Sequence, residues 1–132
     1  EIAKAAYDEL NLLGLKTFRQ RGLPEAFRHI IQNVAAEREI PVMLIAGNSR
    51  MRKAVWARNE AMYLIKAARP NLSMGLFAKW FDRDHTSAMH GIASHADRNQ
   101  LPQIVGYDLK RVRERNAEIT ARRRALEKAS AG

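Results

Sequence analysis

Apolar residues along the chain recur with the spacing of α-helices rather than with the alternation of β-strands. In residues 24–39, five apolar side chains follow the i, i+3, i+4, i+7, i+8 spacing of one helical face: Phe27, Ile30, Ile31, Val34 and Ala35. β-branched residues are sparse, and no run alternates between apolar and polar residues. The pattern therefore predicts an all-α protein.

Glycine and proline residues set the predicted helix boundaries in the first third of the chain. We expect a first helix over residues 2–13 that ends at Gly14, followed by a loop. A second helix begins at Pro24 and ends before Pro41. Residues 41–47 then form a short buried turn of helix.

Two further helices lie on either side of a break at residues 69–71. The sequence GNSRMRK (47–53) predicts a basic loop. A third helix follows over residues 54–68, with one side formed by Val55, Met62 and Ile65. Ser73 can cap a short fourth helix, whose apolar face carries Met74, Phe77, Trp80 and Phe81.

The segment DRDHTSAMHGIASH (82–95) predicts a helix with two different faces. A helix that starts near Asp84 turns four small or apolar residues inward: Met89, Ile92, Ala93 and Ala96. The other side carries polar residues, with Thr86 beside them: Arg83, Ser87, His90 and Ser94. A short helix, a tight turn and a second helix with a polar face have the form of a helix-turn-helix, whose second helix enters the major groove of DNA.

A last helix of some twenty residues is predicted from Tyr107 onward. Its residues at alternating three- and four-residue steps form a weak heptad with two polar core positions: Leu109, Val112, Asn116, Ile119, Arg123 and Leu126. This helix could dimerise the chain, fold back on the domain, or lead to a further domain. The basic sequence RRRALEK (122–128) could contact phosphates or form a solvated face.

These elements predict an all-α helix-turn-helix bundle of five to six helices with a long C-terminal helix. We divide the chain into an N-terminal helical extension (1–26), a helix-turn-helix domain (27–101) and a C-terminal basic helix (102–132). The sequence starts without methionine, and we expect it to be a piece of a longer protein.

The net charge of +9 is confined to the last two-thirds of the chain. Residues 1–40 hold six basic and six acidic side chains, residues 41–106 hold nine and four, and residues 107–132 hold eight and four. Such segregation is typical of a surface that binds a polyanion. The absence of cysteine fits a reducing cytoplasm, and the longest apolar stretch, residues 40–47, is far too short to span a membrane.

Three histidines within residues 82–95 raise the possibility of a metal site. His85, His90 and His95 are five residues apart, and each step of five rotates about 140° around a helix. Their rings therefore cannot converge on one ion, and we expect no metal and no cofactor. A metal-dependent nuclease is the disfavoured alternative, and RNA binding is disfavoured because exposed aromatic residues are not clustered.

The sequence RMRKAVWARNEAMYLIKAARPNLSMGLFAKWFDRDHTSAMHGI (50–92) resembles the C-terminal DNA-binding domain of DnaA, the bacterial chromosomal replication initiator. That family has R-x-x-A-M in a helix after a basic loop, then S-x-x-x-I-G-x-x-F, then R-D-H-T-T at the start of the recognition helix. Here Arg58 to Met62 carries the first motif and Arg83 to Ser87 the last. The resemblance covers residues 27 to 96.

The resemblance implies a set of DNA contacts. Arg52 matches the basic-loop arginine that enters the minor groove, and Arg58 and Lys66 lie at positions suited to phosphates. Four residues fall where the family contacts base edges and thymine methyl groups: Asp84, His85, Thr86 and Ser87. Asp84 can also cap the recognition helix. We count further candidate DNA contacts at Arg50, Lys53, Ser73, Arg83 and His90.

The departures from the family pattern bear on function. The family has Phe-Gly-Gly-Arg-Asp-His where this chain has Phe81-Asp82-Arg83-Asp84-His85, and Ser87 replaces a threonine. The target site is therefore expected to differ from that of the initiator. The sequence has no Gly-x-x-x-x-Gly-Lys-Ser/Thr phosphate loop and is not an ATP-driven initiator on its own.

The function favoured by these patterns is sequence-specific binding of double-stranded DNA without enzymatic activity. We expect a bacterial transcription regulator, similar in use to prophage or gene-transfer-agent activators, that is cytoplasmic and associated with the nucleoid. A replication-related factor that binds initiator boxes is the alternative. Other transcription or replication proteins could be partners through a missing domain.

Overall fold

The computed structural model describes residues 3–131, which form α-helices and no strand. The seven helices are α1 Lys4–Gln20, α2 Arg28–Glu37, α3 Val42–Ala46, α4 Arg52–Ala68, α5 Met74–Phe81, α6 His85–Arg98 and α7 Leu109–Ala131. The prediction of an all-α helix-turn-helix bundle with a long C-terminal helix is confirmed. The count is seven rather than five or six, because α3 is a helix in its own right.

Helix α1 continues through Gly14, so the predicted helix end and loop are wrong. Gly14 is buried, and a Cβ atom there would lie 2.4 Å from the backbone nitrogen of Met43 and 2.6 Å from the carbonyl carbon of Val42. The glycine therefore allows α1 and α3 to approach closely. The helix ends six residues later, before Gly22, whose φ of +89° suits glycine.

The second predicted helix is correct in place but begins differently. Pro24 has an extended backbone and precedes a single 3-10 turn, Glu25–Phe27, before α2 starts. Helix α2 ends at Glu37, ahead of Pro41 as expected. Helix α4 begins two residues earlier than predicted, so that Arg52 and Lys53 belong to its first turn rather than to the loop.

The core lies where α4 packs on α6 and α2, with α5 against α6 and α1 against α3. Fully buried side chains from α1 to α6 fill it: Phe18, Ile31, Val34, Ile45, Met62, Ile65, Phe77, Phe81 and Ile92. The rings of Phe18 and Phe81 meet edge to face, with centroids 5.3 Å apart. These contacts fix the positions of α4, α5 and α6, which carry most of the predicted DNA contacts.

The turn between α5 and α6 is capped on both sides. Asp82 has a left-handed backbone (φ 51°), and the N–H of Arg83 donates to the carbonyl of Ala78 at 2.9 Å, closing α5. Asp84 then caps α6, its Oδ1 accepting a hydrogen bond from the N–H of Ser87 at 2.7 Å. Asp82 thus occupies the conformation that glycine usually provides, which aspartate tolerates better than most residues.

A six-residue stretch of α6 is buried on all sides of the helix, which the helical periodicity did not predict. Residues 91–96 are all buried, including Ser94, which we had expected on the exposed polar face and which is only 6% accessible. The segment after the helix causes this burial, since Ile104 and Val105 pack against the core and the Gln103 amide donates to the carbonyl of Ala93. Met89, expected inside, is half-buried.

Within residues 3–131, helix α7 is buried only at its beginning. Asp108 caps it by accepting from the N–H of Arg111 at 3.0 Å, and Leu109 is its one buried residue. No helix in residues 3–131 has the combination of length and apolar composition needed to cross a membrane.

Candidate nucleic-acid interface

The first turns of α6 present polar side chains to solvent. His85, Thr86, Ser87 and His90 are all exposed, and Ala88 between them is buried and holds the helix against the core. Hydrogen bonds from Ser87 to the carboxylate of Asp84 lower the pKa of that group, which keeps it charged. The predicted base-contacting residues are therefore exposed at the start of a helix that is held in place by the core.

An open cleft of about 560 Å³ separates this surface from the loop before α4. Ser87, His90 and Arg98 line it from α6, and Arg50, Arg58 and Arg83 from the other elements. None of the lining residues is acidic. A concave surface with several arginines and no carboxylate has the electrostatic character that phosphate groups require.

Arg58 is almost completely buried, and it binds protein backbone instead of projecting from the surface, which argues against the predicted phosphate contact. The side chain is 4% accessible. Its Nε donates to the carbonyl of Ile45 at 3.0 Å, and its Nη2 lies within 3.3 Å of the carbonyls of Leu44, Gly47 and Ser49. Arg58 thus stabilises the end of α3 and the loop before α4 from the interior of the protein.

Two other arginines hold the same stretch of backbone. Arg83 donates to the carbonyl of Gly47 at 3.1 Å, and Arg21 donates to the carbonyl of Ala46 at 2.8 Å. Burial, followed by the nearby charges of Arg83 and Arg21, lowers the pKa of Arg58 to about 10. The guanidinium is still protonated at neutral pH, and the three side chains connect the basic loop to the helix-turn-helix.

Lys66, the other predicted phosphate contact, also binds protein backbone. Its ammonium group donates to the carbonyls of Pro70 at 2.7 Å and Leu72 at 2.5 Å. These bonds close the connection between α4 and α5. Ser73 has a similar local role, because its hydroxyl accepts from the N–H of Leu76 and caps α5.

The remaining basic candidates are exposed at the start of α4. Arg50 lies in the loop and lines the cleft, and Arg52 and Lys53 form the first helical turn. The guanidinium of Arg52 lies over the ring of Trp56, 5.6 Å from its centroid. That of Arg98, from the end of α6, lies 4.7 Å from the same centroid.

Arg98 is a candidate contact that sequence reasoning missed. It lies at the end of α6, eleven residues after Ser87, which at about 100° per residue returns it to nearly the same side of the helix. Its place in the cleft beside Trp56 depends on the packing of α4 against α6. The helical repeat could have indicated its side, but not its neighbours.

The three histidines of α6 lie in different surroundings. His85 and His90 are exposed, whereas His95 is buried beside the ring of Tyr63, at 5.2 Å between centroids. Burial lowers the pKa of His95, and burial with the charges of Arg113 and Arg98 lowers that of His90. Across residues 3–131, no three side chains among histidines, aspartates and glutamates are placed to hold a metal ion.

Comparisons with known proteins identify relatives of this part of the chain. A family profile described as the bacterial dnaA protein helix-turn-helix matches residues 27–94. The chain is also 31% identical over 116 residues to the chromosomal replication initiator protein DnaA of Roseiflexus castenholzii. That match covers 87% of this chain but 23% of the relative, so the chain spans about a quarter of that protein.

No solved structure matches the chain. The family match extends from the last residue of the 3-10 turn to residue 94 within α6, and so includes α4, the loop before it and most of the helix-turn-helix. It covers more than half of the sequence and every residue that lines the cleft except Arg98. The chain therefore belongs to the family of DNA-binding helix-turn-helix domains found in bacterial DnaA proteins.

Proposed function

We propose that this protein binds a specific double-stranded DNA sequence and regulates transcription. One observation carries the proposal: the exposed first turns of α6 lie across an arginine-lined, carboxylate-free cleft from the loop before α4. In this arrangement α6 enters the major groove, and the start of α4 lies over the adjacent backbone and minor groove.

The side chains on α6 suit base recognition in the major groove. The hydroxyls of Thr86 and Ser87 can donate to or accept from base edges, and the Thr86 methyl group can pack on a thymine methyl. His85 adds a ring nitrogen beside them. Asp84 is engaged in capping, and its second carboxylate oxygen is suited to accept from cytosine N4.

Arg52 is the side chain proposed to enter the minor groove. It is exposed and heads α4, and it needs only to leave the face of Trp56 to extend outward. Minor-groove arginines prefer narrow A·T-rich segments. We expect Arg52→Ala to lose discrimination between A·T-rich and G·C-rich flanks of the target, whereas the wild type keeps it.

The regulatory use is supported by the helix-turn-helix, a motif that binds specific duplex sites. A replication-related factor is the second candidate, and the similarity to a chromosomal replication initiator favours it. Both uses require the same DNA-binding surface.

Two measurements test the proposal in order. Selection of bound sequences from a random duplex pool should give one preferred site, and unselected duplexes should bind more weakly by at least about a thousand-fold. Mapping of that site in bound chromosomal DNA then separates the candidates. Sites at promoters support regulation, sites clustered at a replication origin support the second candidate, and the absence of any preferred site refutes both.

A further inference from the structure

Helix α7 is long, exposed and strongly basic. It extends over Leu109–Ala131, and only its first residue is buried. Eight of its residues are basic and three are acidic, which gives the helix a net charge of +5. Burial against the domain does not stabilise this helix, so packing does not explain why it carries so many basic residues.

The beginning of α7 lies beside the exposed face of α6. The ring of Tyr107, two residues before the helix, meets the ring of His90 edge to face at 5.6 Å between centroids. Arg113 in the second turn pairs with Asp97 of α6 at 3.1 Å. Since His90 lines the arginine-rich cleft, α7 begins next to the proposed DNA surface.

The distribution of residues around α7 favours a polyanion over a second copy of the chain. At about 100° per residue, Lys110, Arg113, Arg124 and Lys128 fall along one flank of the apolar seam, and Arg111, Arg115 and Arg122 along the other. The seam itself is interrupted by Asn116 and Arg123, and its last apolar residue, Leu126, is 69% accessible. Pairing two such helices would bring together two +5 charges for little apolar burial.

We propose that α7 is a DNA-binding arm that contacts the phosphate backbone beyond the segment covered by the helix-turn-helix. The inference rests on the proposed function, because it takes DNA to lie on α6. A helix of 23 residues is about 35 Å long, close to one turn of B-DNA. The arm therefore adds sequence-independent affinity and lengthens the site that the protein protects.

The test compares two duplexes that carry the same selected site. The short one is about 12 base pairs, just over one turn, and the long one extends it to about 35 base pairs. The variant Arg122→Gln/Arg123→Gln/Arg124→Gln removes three exposed charges from the distal half of α7. The matched control, Lys4→Gln/Lys16→Gln/Arg28→Gln, removes three charges from α1 and α2, none of which lines the cleft.

The wild type should bind the long duplex more tightly than the short one. The slope of log K against log salt should be steeper for the long duplex by about two to three, since each phosphate contact contributes about 0.9 to the slope. The α7 variant should lose this increment, about ten-fold or more in affinity at low salt, and bind the short duplex unchanged. The control variant should keep the increment. Circular dichroism checks that both variants remain helical.

Three results would overturn the inference: no increment in the wild type, an increment that survives in the α7 variant, or an equal loss on both duplexes. If the extra affinity for the long duplex appears only when two protein chains are bound to it, α7 serves self-association instead. The proposed function fails by a different result, namely equal binding of the short duplex and a scrambled duplex by the wild type.

Discussion

Arg58 illustrates why a basic residue in a DNA-binding sequence is not necessarily a DNA contact. Its position in R-x-x-A-M and its charge both suggested a phosphate ligand, yet its guanidinium reaches four backbone carbonyls from within the protein. An arginine has five N–H donors in a rigid fork, so it can satisfy several carbonyls of an irregular loop at once. The sequence does not distinguish this use from phosphate binding.

We predict opposite effects for Arg58 and Arg50. Arg58→Ala should lower the free energy of unfolding by about 2–4 kcal/mol, because it leaves buried carbonyls without donors. Arg50→Ala should change stability by less than about 0.5 kcal/mol but reduce the salt slope of DNA binding by about one unit. Chemical denaturation and titrations at several salt concentrations measure both quantities. A stable Arg58 variant with a reduced salt slope would restore the original assignment.

His95 should make the stability of the fold sensitive to pH. Burial lowers its pKa below the usual 6.5, so the unfolded chain binds the proton more tightly than the folded one. The stability contributed by the neutral ring is thus present above about pH 6.5 and is lost as the pH falls below it. We expect melting temperature to fall between pH 7.5 and 5.5, and less so in His95→Gln.

The exposed His29 provides the control for this measurement. His29→Gln should retain the pH dependence of the wild type, because its ring is not buried. If His95→Gln and the wild type change in parallel, the pH dependence arises from other groups.

At the scale of the helices, the sequence predicted the starts of α5 and α6 because each has a capping residue there, whereas α4 has no side-chain cap and begins two residues earlier than predicted. Ser73 and Asp84 cap α5 and α6 as expected. The predicted end of α1 at Gly14 is wrong because a glycine can have two roles: it can end a helix, or it can allow another chain segment to approach closely. Only the position of α3, which is tertiary information, decides between them.

Gly14→Ala separates these two uses. If Gly14 ended the helix, alanine would do no more than extend it, and its higher helix propensity would add about 1 kcal/mol. Against α3, the new methyl group would overlap backbone atoms, and we predict a net loss of about 1–3 kcal/mol of stability. Gly106→Ala is the control, since nothing lies within 4 Å of its added Cβ. A more stable Gly14→Ala variant would contradict the close α1–α3 contact.

For the whole molecule, the segregation of charge was visible in the sequence, but the shape of the charged surface was not. Residues 101–105 fold over α6 and leave its first turns and its last two residues exposed, a contact between segments that no periodicity encodes. The same packing brings Arg98 from α6 to Trp56 of α4. The divisions of the chain at residues 26/27 and 101/102 remain predictions.

The central claim is that the first turn of α6 distinguishes one DNA sequence from another. Paired titration of Thr86→Ala and His85→Ala against the selected site and a scrambled duplex tests it most directly, with His29→Ala as the exposed control on α2, outside the cleft. Each α6 variant should lose about 1–3 kcal/mol on the selected site and almost nothing on the scrambled one, with unchanged melting temperature. Equal losses on both duplexes, or a fall in melting temperature, would mean that these residues support the fold instead of recognising bases.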